Sequence, residues 1–190
     1  MKGLLFYSLL IITLSIFTAS KTPPPSKKVQ LTQEELKLYN LINNYRASNG
    51  LKAIPLSTCL TEVAHLHVRD LEDNHPDQEG CNLHSWSQKG KWQSCCYTPD
   101  HAQKQCMWNK PKELTSYPGN GFEIAAQYSE PIDAKLALTL WKESKYHNEV
   151  LLNKGVYKRE WKAMGIGIYK NYSVVWFGNE TDSNGAPLKP

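Results

Sequence analysis

Trp141, Ser144 and His147 recur at three-residue spacing. That spacing puts them on one face of a helix for as long as the helix lasts. The indole on that face wants burial. The imidazole one turn later then sits at the edge of the buried surface, where a cleft can open. A second histidine, His84, stands in the polar and aromatic run His84-Ser85-Trp86-Ser87. Two acids come between the two histidines in this reading: Glu123, in Phe122-Glu123-Ile124-Ala125, and Glu143. Neutral imidazoles hold divalent metals such as zinc through a ring-nitrogen lone pair, while carboxylates orient the rings from behind. The same groups can also exchange protons as general acid and base. Ser144 near His147 and Ser85 beside His84 allow a serine–histidine nucleophile to be imagined. Capping or hydrogen bonding is the plainer role for both serines, and no nucleophile elbow or HExxH pattern occurs. Spacing by itself does not bring these groups together. The elements that carry them have to.

The chain opens on Met1-Lys2, an apolar run from Leu4 to Phe17, and the small residues Thr18-Ala19-Ser20. This is the pattern of a signal peptide over residues 1–20. The apolar run is shorter than the roughly 20 residues a membrane span needs, so no stable span is expected once it is removed. A Pro- and Lys-rich linker follows over 21–30. Export to a secreted, periplasmic or cell-surface location permits disulfides. Of five cysteines, Cys81, Cys95, Cys96 and Cys106 fall in one short segment and Cys59 stands apart. Cys95 and Cys96 are too close to bridge each other easily, so each is expected to reach Cys81 or Cys106. Cys59 is then a buried thiol near a helix start. The net charge is +4 with scattered lysines, which argues against a nucleic-acid partner.

Thr32 with Glu35 forms a capping box ahead of Leu38, Leu41, Ile42 and Tyr45, an amphipathic helix closed by Asn49-Gly50. Ser57 or Thr58 caps a second helix with the stripe Leu60, Val63, Ala64, His67, Val68 and Leu71. His67 inside that stripe reads as a hydrogen-bonded core histidine, and His65 as solvated. The stretch from Cys81 to Gly121 has several Trp and Tyr but few aliphatics. It reads as a loop-rich insertion, at about 86–118, pinned by disulfides. Pro131 and Asp133 open another helix. Met164 to Ile168 and Tyr172 to Gly178 alternate as strands, with Lys170-Asn171 as a two-residue hairpin turn. The second strand has apolar residues on both faces and should be central. The domain is expected over 31–178, with a flexible tail over 179–190. The class is α+β, with helices packed on a small antiparallel sheet.

Several stretches together resemble the CAP superfamily of cysteine-rich secretory, antigen 5 and pathogenesis-related proteins, and especially its bacterial SCP-like branch. They are the segment Leu41 to Leu51, the pattern Leu60…Ala64…His67…Asp70, and Trp141-x-x-Ser144-x-x-His147 with Leu151-Leu152-Asn153. Gly165-Ile166-Gly167-Ile168 and Val174-Val175-Trp176-Phe177-Gly178 complete the set. The resemblance implies an α-β-α sandwich and a central cleft where divalent metals can bind. It puts the cleft histidines on His84 and His147, the metal-ligand candidates, and an acid on Glu123. Ser144 takes a place where other members keep an acid, and Glu143 is one residue off that place. The resulting reading is an exported, non-catalytic protein whose cleft, lined by His84, Glu123, Ser144 and His147, binds zinc, another divalent metal or a small ligand. A cell-surface component is the other kind of partner considered. One alternative is a cell-wall or carbohydrate binder using Trp86, Trp92 and Trp108. The other is a hydrolase that depends on a metal or on His84 and His147.

Overall fold

The computed structural model describes residues 28–190. The expected signal peptide, and the linker up to residue 27, lie outside the described residues. Three helices form where the sequence supplies caps. The first, α1 (Gln33–Ser48), starts with the full Thr32–Glu35 capping box and ends at Asn49. The second, α2 (Thr58–Asn74), is capped by Ser57, whose Oγ accepts from the Leu60 N–H. A mid-chain helix, α4 (Ala134–Glu143), is capped by Asp133. The strands β1 (Gly121–Gln127), β2 (Ala163–Tyr169) and β3 (Tyr172–Gly178) form one antiparallel sheet in the order β1-β3-β2. As the sequence implies, β3 is central and every residue in it is buried. Lys170 adopts a positive φ of 47° to make the hairpin turn.

The sheet divides the core. Val175 and Phe177 of β3 pack with Ile124, Ile166, Leu38, Ile42, Leu138 and Trp141. Val174 and Trp176, on the other face, pack with Leu60, Val63, Val68 and Leu71 of α2. Helices therefore lie on both faces of the sheet, the α-β-α arrangement.

The insertion differs in part from its reading as loop. It contains α3 (Lys104–Leu114). That helix has no side-chain cap and holds Pro111, so it lacks the usual sequence signals. It is still pinned by two disulfides, Cys81–Cys96 and Cys95–Cys106, and Cys59 is a free, buried thiol. Residues 179–190, expected as a tail, lack regular structure but are tied to the domain. Asp182 accepts from Ser57 Oγ at 2.6 Å and from the Cys59 N–H at 2.8 Å, and Leu188 pairs with Gln30. A carboxylate on a helix N-terminus is a favourable anchor.

The stretch Trp141–Leu152 corrects the opening expectation. It is not one helix. α4 ends at Glu143, Ser144 is extended (φ −81°, ψ 115°), and α5 (Lys145–Leu151) begins afresh. Trp141 and His147 therefore belong to different helices, and their three-residue spacing is not a shared face.

Candidate functional site

Glu123 lies on β1, an edge strand, and sits opposite Trp176. Strand alternation turns it to the same side as Ala125, toward α2. There it is nearly enclosed, at 6% exposure. His67 reaches it from α2 and is fully buried. His67 Nδ1 makes a very short contact with Glu123 Oε1, and His67 Nε2 lies 2.9 Å from the Ser85 carbonyl oxygen. His84 Nδ1 lies 2.7 Å from the second oxygen, Glu123 Oε2.

These contacts fix the protons. Burial pushes the Glu123 carboxyl up, but the charge and hydrogen bond of His67 and the bond from His84 outweigh it and hold it below its ordinary value. Glu123 is thus ionised and can only accept. The Ser85 carbonyl can also only accept, so the hydrogen-bond geometry calls for a proton on each His67 nitrogen. Its ring stacks on Trp86, with centroids 4.3 Å apart and planes 6° from parallel, and meets the edge of Trp176 at 6.1 Å. Aromatic faces favour a cation there. The buried carboxylate is therefore neutralised from behind. His84 donates from Nδ1 and in its neutral form keeps the Nε2 lone pair free, the arrangement a metal-binding imidazole uses.

His147 stands on α5 and is half-buried. Burial first, then the neighbouring His84, push its pKa down to about 4, against the pull of Glu123. It is close enough to both for their charges to act on it, and it is neutral at pH 7. Three contacts fix α5. Arg46, 2% exposed, donates to the Leu151 carbonyl at 2.6 Å and to Asn153 Oδ1 at 2.9 Å. A cation is well placed at a helix C-terminus. Tyr45 donates to Asn148 at 3.0 Å, and Trp161 Nε1 donates to the Val150 carbonyl at 2.8 Å.

The depressed His147 value predicts an acid response. The unfolded chain takes up a proton near the ordinary value of 6.5, and the folded one near 4. Stability is therefore complete above pH 6.5 and falls as the pH drops from 6.5 toward 4, by about 3 kcal/mol at most. Urea unfolding of His147→Gln should lose that part of the pH dependence. A slope identical to that of the unaltered protein across this window would contradict it.

Glu143 is exposed, and Ser144 is half-buried at the junction of α4 and α5. Ser85 is fully buried and accepts from the Tyr97 N–H at 2.8 Å. Trp86 is 2% exposed, Trp92 packs edge-on against it, and Trp108 is half-buried beside Phe122. His65 is not simply solvated, because its Nε2 lies 2.9 Å from buried Glu35. Sequence reasoning missed the contact of His67 with Glu123. The available signal was a histidine on an apolar stripe and an acid in an apolar strand, two buried polar groups that each need a partner. Tyr97, whose ring lies 5.2 Å from that of His84, was missed as well. Among the described residues, no three His, Cys, Asp or Glu side chains group as the ligands of one ion would.

Residues 39–178 match the model of the CAP family, described as the cysteine-rich secretory protein family. The chain belongs to the CAP family. The CAP fold is also that of two solved structures. One is an outer surface protein from Borrelia burgdorferi, 19% identical, with TM-score 0.53 over 82% of this chain and 98% of that one. The other is an extracellular protein containing an SCP domain from Bacillus anthracis str. Ames, 18% identical, with TM-score 0.51. That match covers 77% of this chain but only 40% of the Bacillus chain, so this chain spans less than half of that relative's length. No curated protein matches by sequence. In this CAP domain His84 approaches from the loop after α2 and His147 from α5.

Proposed function

We propose that this CAP-domain protein is exported and that its cleft binds a divalent metal or a small ligand through His84 and His147, without catalysing a reaction. The observation that carries this reading is His84, held through Nδ1 on a buried carboxylate that also meets His67, with His147 near enough to feel the charge of both His84 and Glu123. One imidazole is held by its Nδ1, and the other is neutral at pH 7. Both offer a lone pair, the donor chemistry zinc accepts. A bound ion would be held by His84 Nε2 and a ring nitrogen of His147, and it would supply a Lewis-acid centre for an oxygen of the ligand. With only two protein ligands and a compensated carboxylate, such a site binds zinc more weakly than one with three protein ligands. Export is supported by the leader pattern and by two disulfides. The descriptions of the similar proteins as extracellular or outer surface fit it. No described helix is long and apolar enough to cross a membrane.

A non-catalytic reading fits the serines. Ser85 is enclosed and its oxygen receives the Tyr97 N–H, so it offers His84 no free nucleophile. The carbohydrate reading through Trp86, Trp92 and Trp108 has less to rest on, because Trp86 is a core residue and Trp92 packs onto it, with its N–H on the Ser87 carbonyl at 2.9 Å. Calorimetric zinc titration tests the proposal. The unaltered protein should release or absorb heat on a saturable curve that His84→Ala/His147→Ala abolishes. An identical curve from the double variant would remove the metal reading.

A further inference from the structure

Between Lys142 and Lys162 the chain carries six basic side chains (Lys142, Lys145, Lys154, Lys158, Arg159 and Lys162) against three acidic ones (Glu143, Glu149 and Glu160). That is +3 in one short stretch of a chain whose whole formal charge is +4. At its centre is a built protrusion. The Tyr157 N–H donates to the Lys154 carbonyl at 3.0 Å and closes a turn with Gly155 and Val156 at its tip. Asn153 and Gly155 take positive φ values of 50° and 60° to shape it. Glu149 lies under the turn, since a Cβ on Gly155 would come within 2.4 Å of its carboxylate. The Asn153 amide donates to the carbonyls of Tyr157 at 3.1 Å and Arg159 at 2.6 Å, while Arg46 holds its oxygen. The loop is thus fixed before any partner arrives, which lowers the entropy lost on binding.

What this loop presents is unusual. Val156 is 89% exposed, the most exposed large hydrophobic residue described, and Lys154, Lys158 and Arg159 surround it in sequence, all exposed. Tyr146, on α5, is 74% exposed next to Lys145. Nothing in the fold packs against Val156. Cations alone would suit any polyanion. An aliphatic side chain held out among cations suits a surface that is anionic outside and apolar just beneath. We propose that the 154–159 turn docks on an anionic lipid bilayer, with Val156 entering the interface and Lys154 and Lys158 meeting the headgroups, beside Arg159, whose guanidinium lies 3.5 Å from Glu180. The cleft plays no part in this, and His84→Ala/His147→Ala should leave it unchanged.

Co-sedimentation with vesicles tests it, using the chain from Lys21 onward, which keeps every described element. The vesicles are phosphatidylcholine alone, or an equal mixture of phosphatidylcholine and phosphatidylglycerol. The protein should sediment with the mixed vesicles only, and less as salt is raised. Lys154→Glu/Lys158→Glu should lower the partition coefficient by at least about tenfold, and Val156→Asp should also lower it. Lys89→Glu/Lys91→Glu, exposed lysines elsewhere, should leave it unchanged. All these positions are on the surface, so circular dichroism should show folded variants. Equal binding to neutral vesicles, equal loss in the Lys89/Lys91 variant, or no binding to vesicles by a protein that binds soluble heparin would each overturn the proposal.

Discussion

Glu123→Ala is expected to destabilise the domain by about 3–5 kcal/mol, because it leaves the buried His67 cation without its counter-charge. Both groups are almost wholly removed from water, and without Glu123 the His67 ring keeps only the neutral Ser85 carbonyl as a partner. The loss should be far larger than that for a surface carboxylate. The double variant His67→Leu/Glu123→Leu should recover most of it, since replacing a buried ion pair with apolar groups of similar volume is often neutral. Urea unfolding of the two single variants and the double variant gives the coupling directly. Single-variant losses near zero would show that no buried ion pair is present. The pH dependence has a definite sign. The folded carboxyl is held below its ordinary value of 4.5, so its stabilisation is present above that value. It is lost as the pH falls below 4.5 and on through the folded value.

The second large effect comes from the interface that carries His67. Gly165 and Gly167 face α2 from β2, and a Cβ on Gly165 would stand 2.0 Å from the Leu60 carbonyl carbon and 2.3 Å from the Thr61 nitrogen. A Cβ on Gly167 would stand 2.6 Å from the Ala64 carbonyl oxygen. Two residues along a strand and four along a helix both advance roughly 6–7 Å. The two glycines therefore track one helix turn, and backbone meets backbone. Backbone atoms cannot rotate aside. Gly165→Ala should destabilise by about 3 kcal/mol or more, lowering the melting temperature by about 6–12 °C for a domain of this size. It should also loosen His67 from Glu123. A melting temperature within about 2 °C of the unaltered protein's, corresponding to less than ~1 kcal/mol, would contradict the close approach.

The parts of the fold set by local chemistry were legible. The Thr32–Glu35 box, the Ser57 and Asp133 caps and the Lys170-Asn171 turn all act within a few residues, and each appears where the sequence places it. The central place of β3 followed from apolar residues on both its faces. Cysteine positions limited the disulfide pairing to two choices, and the structure takes Cys81–Cys96 with Cys95–Cys106. What stayed hidden depends on contacts distant in sequence. The helix α3 has no side-chain cap and holds Pro111, and it leans on β1 through Trp108 and Phe122. The break at Ser144 leaves no mark in the Trp141/Ser144/His147 spacing, because a three-residue repeat can cross from one helix into another. His67 and Glu123 are 56 residues apart in sequence. Each can be recognised as a buried polar group, but only the packing of α2 on the sheet pairs them.

The central claim is a division of labour among three histidines around Glu123, and nitrogen NMR of ¹⁵N-histidine-labelled protein at pH 7 tests it most directly. His67 should show two protonated nitrogens and His147 a neutral ring, while the neutral form of His84 should carry its proton on Nδ1. Added zinc should shift His84 Nε2 and one His147 nitrogen and leave His67 unchanged. A neutral His67, or zinc shifts on His67 with none on His84 and His147, would contradict the account.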